Sequence, residues 1–231
     1  MRGSAAVGLR TGSGVAPNLI IDIAANALMG RTKPCDEIQD AGMQAQNRVY
    51  RAVDAHGNAR TWEAMKRPTR PKSSAVDAIQ ILAILEKPTG PEVLLGKQFR
   101  PPTGKVIVEF PAGMVDEGET PEQAAVRELK EETGYLGEVI SEKIDRPVHW
   151  NSPASSSSCT YMIRMKIDLS KGENQNPKPE LEEGEIIDTF SIPLSDLYSE
   201  VRKLSAEGYA IDGKVGSFAE AMETARMWQG Q

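Results

Sequence analysis

The chain has 231 residues, 39% of them hydrophobic, and carries 33 acidic against 27 basic side chains, a net charge of −6. That length supports one well-buried domain with a modest appendage and is too short for three. A charged fraction of 26% is ordinary for a folded chain, and an acidic balance speaks against a nucleic-acid binder, whose affinity rests on clustered Lys and Arg.

Met1 to about Lys33 is rich in Gly, Ala, Ser and Arg, with Asp22 its only acid. Residues 1–40 therefore read as a disordered leader beginning with a vector-like Met1-Arg2-Gly3-Ser4. A transit peptide is the alternative, since such peptides contain Arg and Ser and are poor in acids. The longest apolar stretch, Leu19 to Met29, is broken by Asp22 and Asn26 and is too short to span a membrane. Cys35 and Cys159 are the only cysteines and His56 and His149 the only histidines. This sparse set disfavours a zinc site or a disulfide framework and fits a reducing setting, cytoplasmic with nuclear as an alternative, or mitochondrial if the leader targets the chain.

From about Asn47 the pattern becomes β. Arg48 to Val53 and Arg60 to Met65 flank the turn signal His56-Gly57-Asn58, which predicts a hairpin within an N-terminal β region at 41–72. In the remaining domain, 73–231, strands are expected at Ala75 to Leu85, Glu92 to Phe99, Val106 to Phe110, Val139 to Trp150, Thr160 to Ile167 and Ile186 to Ile192. Helices are expected near Leu194 to Ala206, stopped by Gly208, and at Ser217 to Trp228. Strands outnumber helices and the connections are mixed, so the class is α+β or an α/β sandwich, not a doubly wound parallel sheet.

The stretch Thr120 to Gly134 carries both helix signals. Thr120 is an N-cap, Pro121 takes the first helical position, Gln123 completes a capping box and Gly134 supplies the stop. In that register Ala125 and Leu129 share the core face, while Glu128 and Glu132 share another with Glu131 beside them. Like charges at this spacing oppose a helix by about 0.2 to 0.5 kcal/mol per pair. A solvated acidic face is the bland reading. Against it, Asp116, Glu117 and Glu119 gather at the same end. Oxygen ligands without His or Cys favour Mg²⁺ or Mn²⁺, commonly held together with substrate phosphates. Between Gly113 and Tyr135 seven acids face two bases, so nearly all of the net charge is this one cluster.

Gly113, five residues, Glu119, seven residues, then Arg127-Glu128-Leu129-Lys130-Glu131-Glu132-Thr133-Gly134-Tyr135 resembles the Nudix box of Nudix hydrolases. Its seven fixed identities are all present, a coincidence on the order of 10⁻⁹ at a given start. Tyr135 replaces the usual aliphatic residue at the final apolar place. The resemblance implies an α/β/α sandwich with a mixed sheet that hydrolyses a nucleoside diphosphate linked to another group. It also implies that Glu128 and Glu132 are the principal metal ligands, joined by Glu131 and the Ala112 carbonyl. Arg127 would brace Glu119 or Glu131, and Gly113 and Gly134 would be structural.

Outside the box, Arg60-Thr61-Trp62-Glu63, Lys97-Gln98-Phe99-Arg100-Pro101-Pro102, Glu109-Phe110-Pro111-Ala112-Gly113 and Gly184-Glu185 resemble the eukaryotic ADP-ribose pyrophosphatases of the ADP-sugar branch. The phrase that marks NADH pyrophosphatases is missing after the box. The resemblance implies that Trp62 stacks on adenine across a homodimer interface built by exchanged N-terminal strands. Arg67 and Arg100 would bind phosphate or ribose, and Glu63 and the Met114 backbone would touch base or ribose. Glu109 would be a metal or substrate contact. The loop from Ser152 to Ser158 would meet the terminal ribose. Glu185, in a loop that closes over the substrate, would also reach the metal and act as general base, with box glutamates Glu131 and Glu132 as rivals. An upstream adenine-stacking tryptophan of some relatives has no match near Gln44. The expected reaction is Mg²⁺-dependent hydrolysis of ADP-ribose to AMP and ribose 5-phosphate, with no nucleic-acid or membrane partner. A broader ADP-sugar or oxidised-nucleotide hydrolase, or a non-catalytic nucleotide-sensing module, are the alternatives.

Overall fold

A computed structural model of the chain describes residues 46–53, 58–140 and 146–229. The leader at 1–40, Gln44 and the His56-Gly57 half of the hairpin turn lie outside the described residues. The hairpin itself forms: β1 (Gln46–Val53) pairs antiparallel with β2 (Ala59–Lys66), with Tyr50 opposite Trp62. The end of β2 is tied to the serine-rich loop. Met65 N–H donates to the Ser155 carbonyl at 2.8 Å and Ser157 N–H donates to the Met65 carbonyl at 3.0 Å.

The main sheet begins with β3 (Ala78–Lys87) and β4 (Gly90–Arg100), an antiparallel hairpin paired only near its turn, from Ile84 with Val93 to Lys87 with Gly90. Beyond Ile84 the two arms part. β5 (Lys105–Glu109) then pairs with the far end of β4, and β6 (Ala112–Met114) with the start of β3. Phe110 and Pro111 turn the corner between them, and Ile81 N–H donates to the Pro111 carbonyl at 2.8 Å. The result is a fork whose mouth holds Glu109 and Ala112.

The outer edge of β3 pairs parallel with β9 (Cys159–Ile167), and the outer edge of β4 pairs antiparallel with β10 (Ile187–Pro193). Short strands β7 (Glu138–Val139) and β8 (His149–Trp150) flank opposite ends of β9, and β11 (Ala210–Ile211) runs parallel to β5. Parallel and antiparallel pairs coexist, so the sheet is mixed.

Helix α1 (Pro121–Thr133) covers one face, and α2 (Leu197–Ala206) with α3 (Gly213–Gln229) covers the other. Alternation along the strands feeds both layers. Ile79, Ile81, Ala83 and Leu85 pack with Ala125 and Leu129 of α1, whereas Val93, Leu95, Val108 and Phe110 pack with Leu197, Val201 and Val215. Leu129 is fully buried, and its truncation to Ala would cost about 2–5 kcal/mol.

Three sequence expectations shift. Val139 to Trp150 is not one strand: β7 and β8 pair with β9 at Lys166 and at Thr160, far apart along it. The second helix starts at Leu197, because Leu194 still donates its N–H to the Pro91 carbonyl at 3.0 Å as the chain leaves the sheet. The third starts at Gly213, four residues early, because Asp212 Oδ1 accepts the Lys214 N–H at 2.9 Å and caps it. Two strands, β6 and β11, carry no periodic signal of their own.

Candidate active site

The register of α1 is fixed at both ends. Thr120 Oγ1 accepts the Gln123 N–H at 3.2 Å and Gln123 Oε1 accepts the Thr120 N–H at 2.8 Å, while Gly134 closes the helix in the left-handed region at φ 74°. With Ala125 and Leu129 turned into the core, Glu128 and Glu132 project toward the fork. Glu132 Oε2 accepts the Ala112 N–H of β6 at 3.0 Å, and Glu128 occupies the space left by the missing side chain of Gly113.

Arg127 holds the remaining acids. Its Nε and Nη2 donate to the two Glu119 oxygens at 3.0 and 2.9 Å, its Nη1 donates to Glu128 at 2.7 Å and Glu131 at 3.1 Å, and Nη2 also reaches the Met114 carbonyl at 3.0 Å. The expected brace to Glu119 or Glu131 is therefore a brace to both. These contacts raise the affinity of Arg127 for its proton, with Glu119 the largest contributor.

Electrostatics single out the carboxylates at the fork. Burial pushes the Glu132 carboxyl up to about 8; the Ala112 N–H opposes this, while Glu128, Glu185 and Glu109 add repulsion. Glu128 is also raised, by burial first and then by Glu131 and Glu185, against the attraction of Arg127. Glu109 is raised by burial although Arg100 Nε donates to its Oε1 at 2.9 Å. Glu132 is 6% exposed and, among the described residues, receives one backbone N–H and no cation in its hydrogen bonding. A buried carboxylate among like charges is the environment a divalent cation relieves, and an all-oxygen donor set suits a hard ion. Among the described residues no three His, Cys, Asp or Glu side chains are drawn together tightly enough to ligate one ion, and Glu128 Oε1 accepts from Arg127.

A cavity of about 540 Å³ adjoins these groups. Arg67, Arg100, Ala112, Gly113, Met114, Arg127, Glu128 and Glu185 line it, together with Thr69, Ala78, Val115, Asp116 and Glu182. Arg67 Nη1 lies 3.6 Å from Met114 Sδ. The loop bearing Glu185 is fastened to α1: Glu180 N–H donates to the Glu131 carbonyl at 2.7 Å, and Lys130 Nζ lies 3.0 Å from Glu180 Oε1. Glu185 Oε2 accepts the Glu182 N–H at 3.2 Å.

Glu109, at the fork, does not line this cavity, and two further expected contacts stand apart from it. Glu63 and Ser152 are exposed and do not line this cavity. Ser152 instead turns the loop, its carbonyl accepting the N–H groups of Ser155 and Ser156. Trp62 lies on β2, and its side chain is outside the described residues. A second cavity, of about 590 Å³, shares Arg67 and is lined by Lys66, Arg70, Lys72, Trp150 and Ser157 among others. Thr69, Ala78 and Glu182 were not legible as cavity residues, since nothing in their spacing distinguishes them.

One residue before the cavity residue Ala78, Arg70 clamps Asp77 with Nε and Nη2 at 2.9 and 2.6 Å, and Cys159 N–H donates to Asp77 Oδ2 at 2.8 Å. Burial acts to raise the Asp77 carboxyl, but the Arg70 and Cys159 contacts outweigh it and hold the group below its ordinary value.

The NUDIX domain profile matches residues 77–211. A protein of Schizosaccharomyces pombe named an uncharacterized Nudix hydrolase is 44% identical over 183 residues, covering 79% of this chain and 87% of its own. The ADP-ribose pyrophosphatase of Saccharomyces cerevisiae is 40% identical over 185 residues, 79% of this chain and 78% of its own. The ADP-sugar pyrophosphatase of Mus musculus is 39% identical over 175 residues, 75% of this chain and 78% of its own.

Proposed function

The chain belongs to the Nudix hydrolase family, and from that premise we propose that it hydrolyses the diphosphate of ADP-ribose, giving AMP and ribose 5-phosphate. Water adds to one phosphorus, the bridging P–O bond breaks, and the proton of the water ends on solvent through a carboxylate. The observation that carries the reading is one cavity lined by Arg67, Arg100, Glu128 and Glu185, beside a Glu132 that among the described residues pairs with the Ala112 N–H and with no cation. Relatives named ADP-ribose and ADP-sugar pyrophosphatases support the substrate class.

Nudix hydrolases work with divalent cations; here the ion proposed is Mg²⁺, with Mn²⁺ able to replace it, because the donors are all oxygen. Glu128, Glu132, Glu131 and Glu185, with the Ala112 carbonyl, are the groups proposed to hold it. Bound there, the ion supplies charge neutralisation and polarisation of the phosphorus centre. Arg67 and Arg100 bind and orient the phosphates and ribose, Arg being matched to such oxygens in two-pronged contacts. Arg127 keeps Glu119 and Glu131 in place and does no chemistry itself. Glu185, on a loop fastened to α1 through Glu180, is the proposed acceptor of the water's proton.

Residues 41–72 are proposed as the arm of a homodimer, with Trp62 stacking on adenine, Glu63 nearby and Ser152 reaching the terminal ribose. The β1–β2 hairpin is a sheet of two strands on its own, which is rarely stable unaided. No helix among the described residues is long and apolar enough to cross a membrane. The buried free thiol of Cys159 suits a reducing, cytoplasmic setting.

The test is kcat/KM with Mg²⁺ across ADP-ribose, ADP-glucose, NADH, diadenosine polyphosphates and 8-oxo nucleotides. ADP-ribose is expected to lead. Comparable values for several sugars would make it a general ADP-sugar hydrolase, and binding without product would make it a sensor.

A further inference from the structure

Among the described residues, Gln80 Oε1 is the one buried side-chain polar atom with no hydrogen-bond partner. The residue is only 9% exposed. An unpaired buried amide opposes folding, so it persists where something else completes it.

Its direction follows from the strand. Gln80 lies on β3 opposite Ala112 of β6 and Met162 of β9. Side chains two apart on a strand share a face, and so do directly paired residues on neighbouring strands. Gln80 therefore shares a face with Ala78, Ala112 and Met114, all three of which line the 540 Å³ cavity; it is the next residue on that face and is not itself among those lining the cavity. Ile79 and Ile81, on either side, belong to the opposite core beneath α1. The next residues on its own face, Leu82 and Met162, are apolar, so a leucine would satisfy packing at this place. The amide is there for another reason.

The orphan atom is an acceptor, and this decides what it recognises. Phosphate oxygens carry no hydrogen at neutral pH and cannot supply the missing bond. A nucleoside diphosphate sugar offers two kinds of donor, ribose hydroxyls and the adenine amino group. Ala112, directly across from Gln80, donates its backbone N–H to Glu132, so Gln80 pairs with the strand residue that meets a carboxylate of the proposed diphosphate site. Ribose hydroxyls flank the diphosphate, whereas the amino group is at the far end of the base. We propose that Gln80 is a specificity residue that accepts a hydrogen bond from a ribose hydroxyl of the bound substrate; this rests on the nucleoside diphosphate sugar reading given above.

The experiment compares wild type, Gln80→Leu and the more flexible Gln80→Met on ADP-ribose, on analogues lacking single ribose hydroxyls, and on IDP-ribose, in which a carbonyl replaces the adenine amine. Tm is recorded for each protein. Wild type is expected to lose about 3- to 10-fold in kcat/KM on the analogue that lacks the bound hydroxyl, the usual size of one neutral hydrogen bond. Both variants are expected to lose as much on ADP-ribose itself and to treat that analogue and ADP-ribose alike. Two results overturn the proposal: variants that keep the wild-type discrimination on every deoxy analogue, with a uniform loss or only a Tm change, or variants whose discrimination vanishes on IDP-ribose instead. Failure of wild type to hydrolyse any nucleoside diphosphate sugar would defeat the functional reading itself, a separate outcome visible before any variant is measured.

Discussion

A Cβ built on Gly113 would lie 1.9 Å from both Cδ and Oε1 of Glu128. The first glycine of the box is thus the volume in which a carboxylate of its helix rests, 15 residues later in the chain. Gly113→Ala must push Glu128 out of that position. Because a displacement of about 1 Å in a reacting group can cost on the order of 10²-fold, kcat is expected to fall by about that factor. Steady-state kinetics beside circular dichroism checks it; an alanine variant with normal kcat would show that the place of Glu128 is immaterial.

Glu132→Gln keeps shape and the Ala112 contact while removing the charge. Turnover should be abolished with the fold intact. Near-normal kcat in this variant would eliminate Glu132 as a metal ligand.

The raised Glu132 carboxyl makes a prediction about pH. Its folded value, about 8, exceeds the unfolded value near 4.5, so between these limits the folded chain binds more protons than the unfolded one. Stability of the metal-free protein must then fall as pH rises through that window. A divalent ion held by Glu132, as proposed, would bind the deprotonated form, so the rise in Tm on adding Mg²⁺ should be larger at pH 8.5 than at pH 6. Calorimetry at both values, with and without EDTA, reads this directly, and Glu132→Gln should flatten the metal-free slope. An equal Mg²⁺ effect at both pH values would contradict the sign.

Arg70→Met tests the clamp on Asp77. Asp77 is 1% exposed and would lose the guanidinium that clamps it. Leaving a buried charge alone typically costs about 3–5 kcal/mol, readable as a lowered urea midpoint. A loss below about 1 kcal/mol would mean that the backbone N–H of Cys159 suffices.

Helix α1 was legible to the residue because its cap, first turn and stop are local chemistry: Thr120, Pro121, Gln123 and Gly134 act within one turn of the ends they define. The box acids came with it. The start of α3 was not legible, since Gly213 and Gly216 are poor helix formers and the cap, Asp212, is recognised only once the Lys214 N–H is turned toward it. β6 is three residues whose ladder is supplied by β3, 34 positions earlier in the pairing of Gly113 with Ile79. Gln80 was hidden in an apolar run, and the Arg70–Asp77 clamp was hidden because it is completed by Cys159 from β9. What escaped the sequence is what the chain builds between segments distant in order.

The parted β3–β4 hairpin also bears on the order in which this molecule is assembled. Its turn can close early, from neighbours a few residues apart, but Ala112 can present its N–H to Glu132 only after the β5–β6 segment has entered between the arms. Closing such long loops is entropically the slow part of folding. The charged pocket is therefore among the last things to exist. The carboxylates of α1 thus meet the fork only when the sheet around it is complete.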